Sequence, residues 1–229
     1  IMTTEPKFIP EEAVEIALED GTSFRVRMID CVGYIVPSSI GYVENEAPRM
    51  VMTPWFPQEI PFNMAAEIGT KKVINEHSTI GLVVTTDGSI SDIPREEYQE
   101  AEQRVVSELK EIGKPFVVLL NCMEPDSQQA RELRDQMERE YQAPVVALSC
   151  LEMDRDDIVD VLTKALYEFP LREIAVQMPR WILSLPKDHW LRRSLFESIT
   201  RSAEDLVHIR DVQRCADRLA EGEDVTDTA

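Results

Sequence analysis

Between residues 79 and 169 the chain alternates short, continuously apolar runs with longer amphipathic ones, and this alternation is its tightest constraint on fold. Thr79–Thr85 carries Ile80, Leu82, Val83 and Val84; Pro115–Leu120 reads Pro-Phe-Val-Val-Leu-Leu, and Pro144–Leu148 reads Pro-Val-Val-Ala-Leu. Runs this short with no polar alternation are strands buried on both faces, the pattern of a parallel sheet. Helical patterns lie between them. Pro94 is placed to open a helix through Ile112, with Val105, Leu109 and Ile112 on one face. Asp126 can cap a helix to Tyr141 with Ala130, Leu133 and Met137 inward. Asp154–Phe169 repeats Ile158, Val161, Leu162, Ala165, Leu166 and Phe169 at helical spacing. Strand–helix–strand units of this kind predict an α/β fold: three layers, doubly wound, around a mainly parallel sheet.

The flanks read differently. Val14–Leu18 and Phe24–Ile29 surround Glu19-Asp20-Gly21-Thr22, a hairpin signal that would add one antiparallel edge to the sheet. From Val32 to Phe62 the chain is punctuated by Pro37, Pro48, Pro54, Pro57 and Pro61, predicting a long functional or mobile loop. Asn63–His77 turns helical. Pro170 ends the alternation, and Leu171–Leu219 shows helical patterning only, broken at Pro179 and Pro186. This predicts one domain over residues 1–169 and a helical segment over 170–229, with a frayed acidic tail from Glu221.

Composition narrows the function classes. Apolar residues make up 43% of 229, enough for a packed core, and the formal net charge is −19. A field of that sign repels a phosphate backbone, which argues against nucleic-acid binding but not against a small nucleotide held with a metal ion. The four cysteines (Cys31, Cys122, Cys150 and Cys215) form no Cys-x-x-Cys pair, so no zinc site is expected. No apolar run reaches membrane-span length and no signal peptide is read. The expectation is a soluble, cytoplasmic chain that reaches a membrane only through a partner.

Three short motifs could carry chemistry. Asp30-Cys31-Val32-Gly33 ends an apolar run ahead of the long loop. In P-loop hydrolases an Asp here holds Mg²⁺, usually through water, and the Gly N–H reaches the γ-phosphate; the plainer reading is an Asp closing a strand and a Gly making a turn. Asn121-Cys122-Met123-Glu124 ends a strand two βα units later, where G domains carry Asn-Lys-x-Asp. Cys122 stands for the Lys and Glu124 for the guanine-reading Asp, which puts guanine specificity in doubt; the plainer reading has Asn121 bonding its own turn. Ser149-Cys150 follows the last strand, where a small loop touches the base. Order and spacing make the three more informative together. Thr3 and Thr4 precede the hairpin, either as loop residues or as hydroxyls that touch Mg²⁺ or orient water. His77, His189 and His208 lack metal-ligand spacing. Asp87-Gly88 reads as a turn, Trp55-Phe56 as core cover or a partner anchor, and Trp181 and Trp190 as packing between helices.

A Walker A loop, Gly-x-x-x-x-Gly-Lys-[Ser/Thr], does not occur in these residues: no two of the eight glycines are five apart. With the opening Ile1, this reads as a P-loop, G-domain-like unit lacking its first strand, phosphate-binding loop and first helix, poorly active alone. A non-catalytic assembly module and a divergent GTPase are the alternatives.

The runs Thr3–Pro10, Arg27–Tyr34, Glu44–Met50, Thr53–Phe56, Ser78–Ile90 and Gly113–Asn121 are long and not generic to P-loop proteins. Through them, over roughly Met2 to Leu206, the chain resembles the stage IV sporulation protein A family of spore-coat morphogenetic ATPases. The resemblance implies hydrolysis of ATP with Mg²⁺, coupled to self-assembly into the basement layer of the spore coat. It implies Asp30 as the Walker B aspartate and Thr3 and Thr4 as sensor threonines. It further implies action in the mother-cell cytoplasm at the outer forespore surface. There the partners are other copies, other coat proteins and a small amphipathic membrane peptide. Membrane association would lie mostly in regions outside these residues.

Overall fold

The computed structural model describes residues 7–17, 23–44 and 46–220. The three apolar runs become β7 (Gly81–Thr86), β8 (Phe116–Asn121) and β9 (Val145–Leu148), a parallel sheet in the order β7-β8-β9. Their register pairs Val83 with Val118 and Val118 with Val145, which sets alternate residues on opposite faces. One face carries Val83, Val118, Leu120 and Val145. It buries them against Val106 and Leu109 of α2 (Arg95–Glu111) and Met137 and Tyr141 of α3 (Gln128–Tyr141). The other carries Val117, Leu119, Val146 and Leu148 against Val161 and Ala165 of α4 (Arg155–Tyr167). This is the α/β layering the alternation predicts.

Local chemistry sets the boundaries. Pro94 precedes α2, whose exit is turned by Gly113 at φ 63°. The cap of α3 is Ser127, not Asp126: its side chain accepts from the Ala130 N–H at 3.2 Å. A serine reaches the third amide of the helix it opens, and Asp126 stands one residue too early.

Gly81 has a packing reason to be glycine. A Cβ there would sit 3.0 Å from Leu109 Cδ1 and 3.1 Å from Phe116 Cβ. Gly81→Val is therefore expected to destabilise the chain by about 1–3 kcal/mol in urea unfolding. An unchanged midpoint would show that α2 does not pack this tightly on β7.

The hairpin forms as β1 (Lys7–Ala17) and β2 (Ser23–Asp30), with a register irregularity between Ile9 and Val14. Its expected turn, residues 19–22, lies outside the described residues, as do Thr3, Thr4 and the acidic tail. It departs from expectation in one respect: among the described residues it is a separate two-stranded sheet, not an edge of the parallel one.

The stretch read as a loop from 32 to 62 is more ordered than its prolines suggested. It holds two short antiparallel pairs, β3 (Val43–Glu44) with β4 (Ala47–Pro48) and β5 (Met50–Val51) with β6 (Ile60–Pro61). Two-residue strands can carry proline because so few ladder hydrogen bonds are needed. The pair β5–β6 feeds α1 (Phe62–Lys72), and Val51, Ile60, Phe62, Ala65 and Ala66 form a third apolar cluster. Trp55 covers α1 at Gly69, where a Cβ would come within 3.2 Å of the indole. A π-helical turn, Val73–His77, ends α1. Lys114 Nζ staples that end by donating to the carbonyls of Ile74 and Ser78.

The chain divides into two compact units, Ile1–Ala165 and Leu166–Ala229. Within the second, α5 (Arg180–Ser184), α6 (Trp190–Ala203) and α7 (Asp211–Ala220) are helical, but residues 171–179, read as helical up to the break at Pro179, have no regular structure. Trp181 and Trp190 are 58% and 67% exposed. They are not packed between helices as their spacing suggested. His189 caps α6 by accepting from the Leu191 N–H at 3.3 Å.

Candidate functional site

The sequence motifs fall into two groups. The first stands at the C-terminal ends of the parallel strands, where open α/β sheets bind ligands. Asn121 is the last residue of β8, and its Oδ1 accepts from the Cys150 N–H at 2.9 Å. That bond ties the β8 exit to the loop after β9, so Asn121 braces a neighbouring loop rather than its own turn. The Cys122 N–H donates to the Leu148 carbonyl at 3.0 Å and reinforces the tie. Ser149 turns the chain, its carbonyl accepting from the Glu152 N–H. Glu124 is exposed beside these loops, its carbonyl accepting from the Ser127 N–H at 3.1 Å.

Cys122 behaves differently from the lysine it replaces. It is wholly buried, and that burial pushes its thiol up to about 11, aided by the nearby Asp87 carboxylate. A neutral thiol turned into the core supplies neither a cation nor a stem to lie on a base. Any base contact in this group therefore falls to Glu124 and to the backbone of Ser149-Cys150.

Sequence reasoning missed Ser89. Asp87 Oδ1 accepts from the Ser89 N–H at 2.9 Å and from its hydroxyl at 2.5 Å, an Asx turn. Ser89 Oγ in turn accepts from the Met123 N–H at 3.0 Å. The Asp-Gly-Ser string signalled the turn, but nothing in it signalled the second loop. The three strand-end loops are thus stitched in series, β7 to β8 through Ser89 and β8 to β9 through Asn121.

The second group is Asp30, the last residue of the hairpin sheet, and Gly33, three residues beyond it. Asp30 ends β2 opposite Lys7 in register, and its side chain is exposed. Gly33 adopts φ 79°, a left-handed conformation that requires glycine. Between them Cys31 is half-buried, and burial raises its thiol above the ordinary range.

A single exposed carboxylate suits Mg²⁺, which takes one or two protein carboxylates and completes its shell with water and phosphate oxygens. Among the described residues no group of three His, Cys, Asp or Glu side chains could cage a metal. Asp30 offers one carboxylate, which fits a metal whose remaining ligands are water and phosphate oxygens.

Residues 1–170 match the family described as Stage IV sporulation protein A, ATPase domain, and residues 171–229 match its middle domain. The chain belongs to the stage IV sporulation protein A family. Relatives carrying that name occur in Bacillus anthracis (49% identical over 214 residues, 93% of this chain) and Bacillus subtilis strain 168 (48% over 223 residues, 97%). A third, in Clostridioides difficile strain 630, is 45% identical over 228 residues, 100% of this chain. The chain spans less than half of each relative, 44%, 45% and 46% respectively. No solved structure matches. In this family member, no helix among the described residues is long and apolar enough to cross a membrane.

Proposed function

We propose that this chain is the greater part of a Mg²⁺-dependent ATP-hydrolysing domain whose turnover drives self-assembly of the spore-coat basement layer. The observation that carries this reading is the Asn121–Cys150 brace at the C-terminal sheet edge, in a chain whose ATPase-domain match covers residues 1–170. The stitched loops would hold the base, with Glu124 accepting from a base N–H. Asp30 would orient Mg²⁺ through water, and the Gly33 N–H would meet the terminal phosphate. Thr3 and Thr4 keep their proposed role as sensors. The metal, when bound, neutralises charge building on the transferred phosphoryl group.

Two features support a further strand and phosphate loop in the working enzyme. Among the described residues β7 pairs on one side only, and Leu82 and Val84, on the face it shares with Val117 and Leu119, stand exposed. The hairpin's β2 likewise pairs on one side only. A strand from upstream, pairing with both, would join the two sheets and bring Asp30 to the nucleotide end of the parallel strands. Partners follow the same reading: other copies, coat proteins and a small amphipathic membrane peptide, at the forespore surface. The exposed Trp181 and Trp190 favour a second reading in which residues 170–229 serve assembly alone.

The test is Mg²⁺-dependent phosphate release from ATP and from GTP by the longest native polypeptide that carries these residues. ATP turnover well above GTP turnover is expected. Preference for GTP would overturn the base assignment, and turnover of neither would overturn the hydrolase reading.

A further inference from the structure

The segment after Gly33 is fastened to α1 and α2 by side chains. The Tyr34 ring lies under the Arg104 guanidinium, whose Cζ is 4.1 Å from the ring centroid, and the Tyr34 hydroxyl donates to Glu108 Oε2. Arg104 also donates to Glu108 Oε1 at 3.3 Å and to Glu67 on α1. Four residues on, Ser38 offers its N–H at 2.8 Å and its hydroxyl at 2.7 Å to the two oxygens of Glu97. Glu97 sits in the first turn of α2 and Glu108 in its last, about three turns apart. The helix thus grips both ends of the segment 34–38, and the Ser39 N–H and hydroxyl close its turn on the Val36 carbonyl at 2.9 and 2.7 Å.

The space beside Gly33 is open: among the described residues, apart from its two chain neighbours, no heavy atom lies within 4 Å of where its Cβ would be, and its backbone is tied only to the Cys31 thiol two residues earlier. A glycine at positive φ with open space around it keeps its orientation only through its chain neighbours. Arg104 is committed to two carboxylates and a ring, so it acts on the segment and is not free to approach a phosphate.

We infer that Tyr34 and Ser38, gripped by Arg104, Glu108 and Glu97, are positioning residues that aim the Gly33 N–H at the terminal phosphate of a nucleotide. The inference rests on the hydrolase reading above. A preorganised N–H donor matters most where charge develops in the transition state, so its misplacement lowers kcat more than it raises KM.

The experiment has two arms, each with Arg104→Met, Tyr34→Ala and Tyr34→Phe. In this chain, hydrogen exchange of the amides of residues 33–40 is expected to quicken in the first two variants and less in Tyr34→Phe, which keeps the ring. In the longest native polypeptide, kcat for ATP is expected to fall about 10- to 100-fold in the first two, with KM within about twofold and partial recovery in Tyr34→Phe. Unchanged exchange would overturn the grip. Faster exchange with unchanged kcat would overturn the positioning role while leaving the hydrolase reading intact. A wild-type polypeptide without turnover overturns that reading, and the positioning role with it.

Discussion

Arg95→Met is expected to destabilise the first unit by about 3–5 kcal/mol, because it strands a buried carboxylate. Arg95 opens α2 and Glu102 lies two turns later on the same face. The guanidinium forks onto the carboxylate, Nη1 to Oε2 at 2.6 Å and Nη2 to Oε1 at 2.8 Å. Glu102 is 4% exposed. Tyr141 of α3 donates its hydroxyl to Glu102, and Arg95 Nη1 donates to Thr85 Oγ1 of β7 at 3.3 Å. One charge pair thus joins strand and both helices over the larger core cluster. Burial alone would raise the Glu102 carboxyl, but hydrogen bonds from Arg95, Thr85 and Tyr141 outweigh it and hold the pKa below 4.5. Stability from Glu102 is therefore present above its unfolded value near 4.5 and lost as pH falls through the lower folded value. The midpoint of urea unfolding at neutral pH checks the main effect. The double variant Arg95→Met with Glu102→Leu should recover most of the loss, since it removes both charges. If the double variant is as unstable as the single one, the unpaired charge is not the cause.

Much of this architecture was legible because buried parallel strands write themselves as unbroken apolar runs. Thr79–Thr85, Pro115–Leu120 and Pro144–Leu148 each found their strand to within a residue or two. The amphipathic faces of α2, α3 and α4 were readable in part: Leu109, Met137 and Val161 are buried, but Ile112 and Ile158, read onto the same faces, are exposed. Pairing between distant segments was not legible. The hairpin pattern specifies two strands and a turn but says nothing of which edge they meet, so its separation from the parallel sheet went unseen. The same limit hid Arg95–Glu102 and Ser89–Met123: polar residues on one helix or in one turn look solvated until the fold supplies the group opposite. Trp181 and Trp190 failed for a related reason, because helical spacing marks a common face without saying that anything covers it. At the site, Asn121 and Cys150 were placed by order and spacing alone, and the structure joins them by one hydrogen bond. The inward turn of Cys122 was not readable, because a cysteine fits a core and a loop equally well.

Asp30→Ala separates catalysis from folding more cleanly than any other substitution at the candidate site. The side chain is exposed at the end of β2, so its truncation should change stability by no more than about 0.5 kcal/mol. Its proposed work is different in kind. A carboxylate that orients the water shell of Mg²⁺ fixes where the metal meets the phosphate oxygens, and metal stabilisation of that charge amounts to several kcal/mol. Loss of about 3–4 kcal/mol corresponds to roughly a 100- to 1000-fold fall in ATP turnover. Asp30→Asn should fall nearly as far, because the amide keeps the shape and loses the charge. Raising Mg²⁺ should restore part of the rate in either variant if positioning of the ion is what has been lost. The measurement is phosphate release by the longest native polypeptide, with urea unfolding of the same variants beside it. Unchanged turnover would remove Asp30 from the metal site. A parallel collapse of stability would instead make Asp30 a strand-end residue whose carboxylate holds the hairpin to Lys7 across the register.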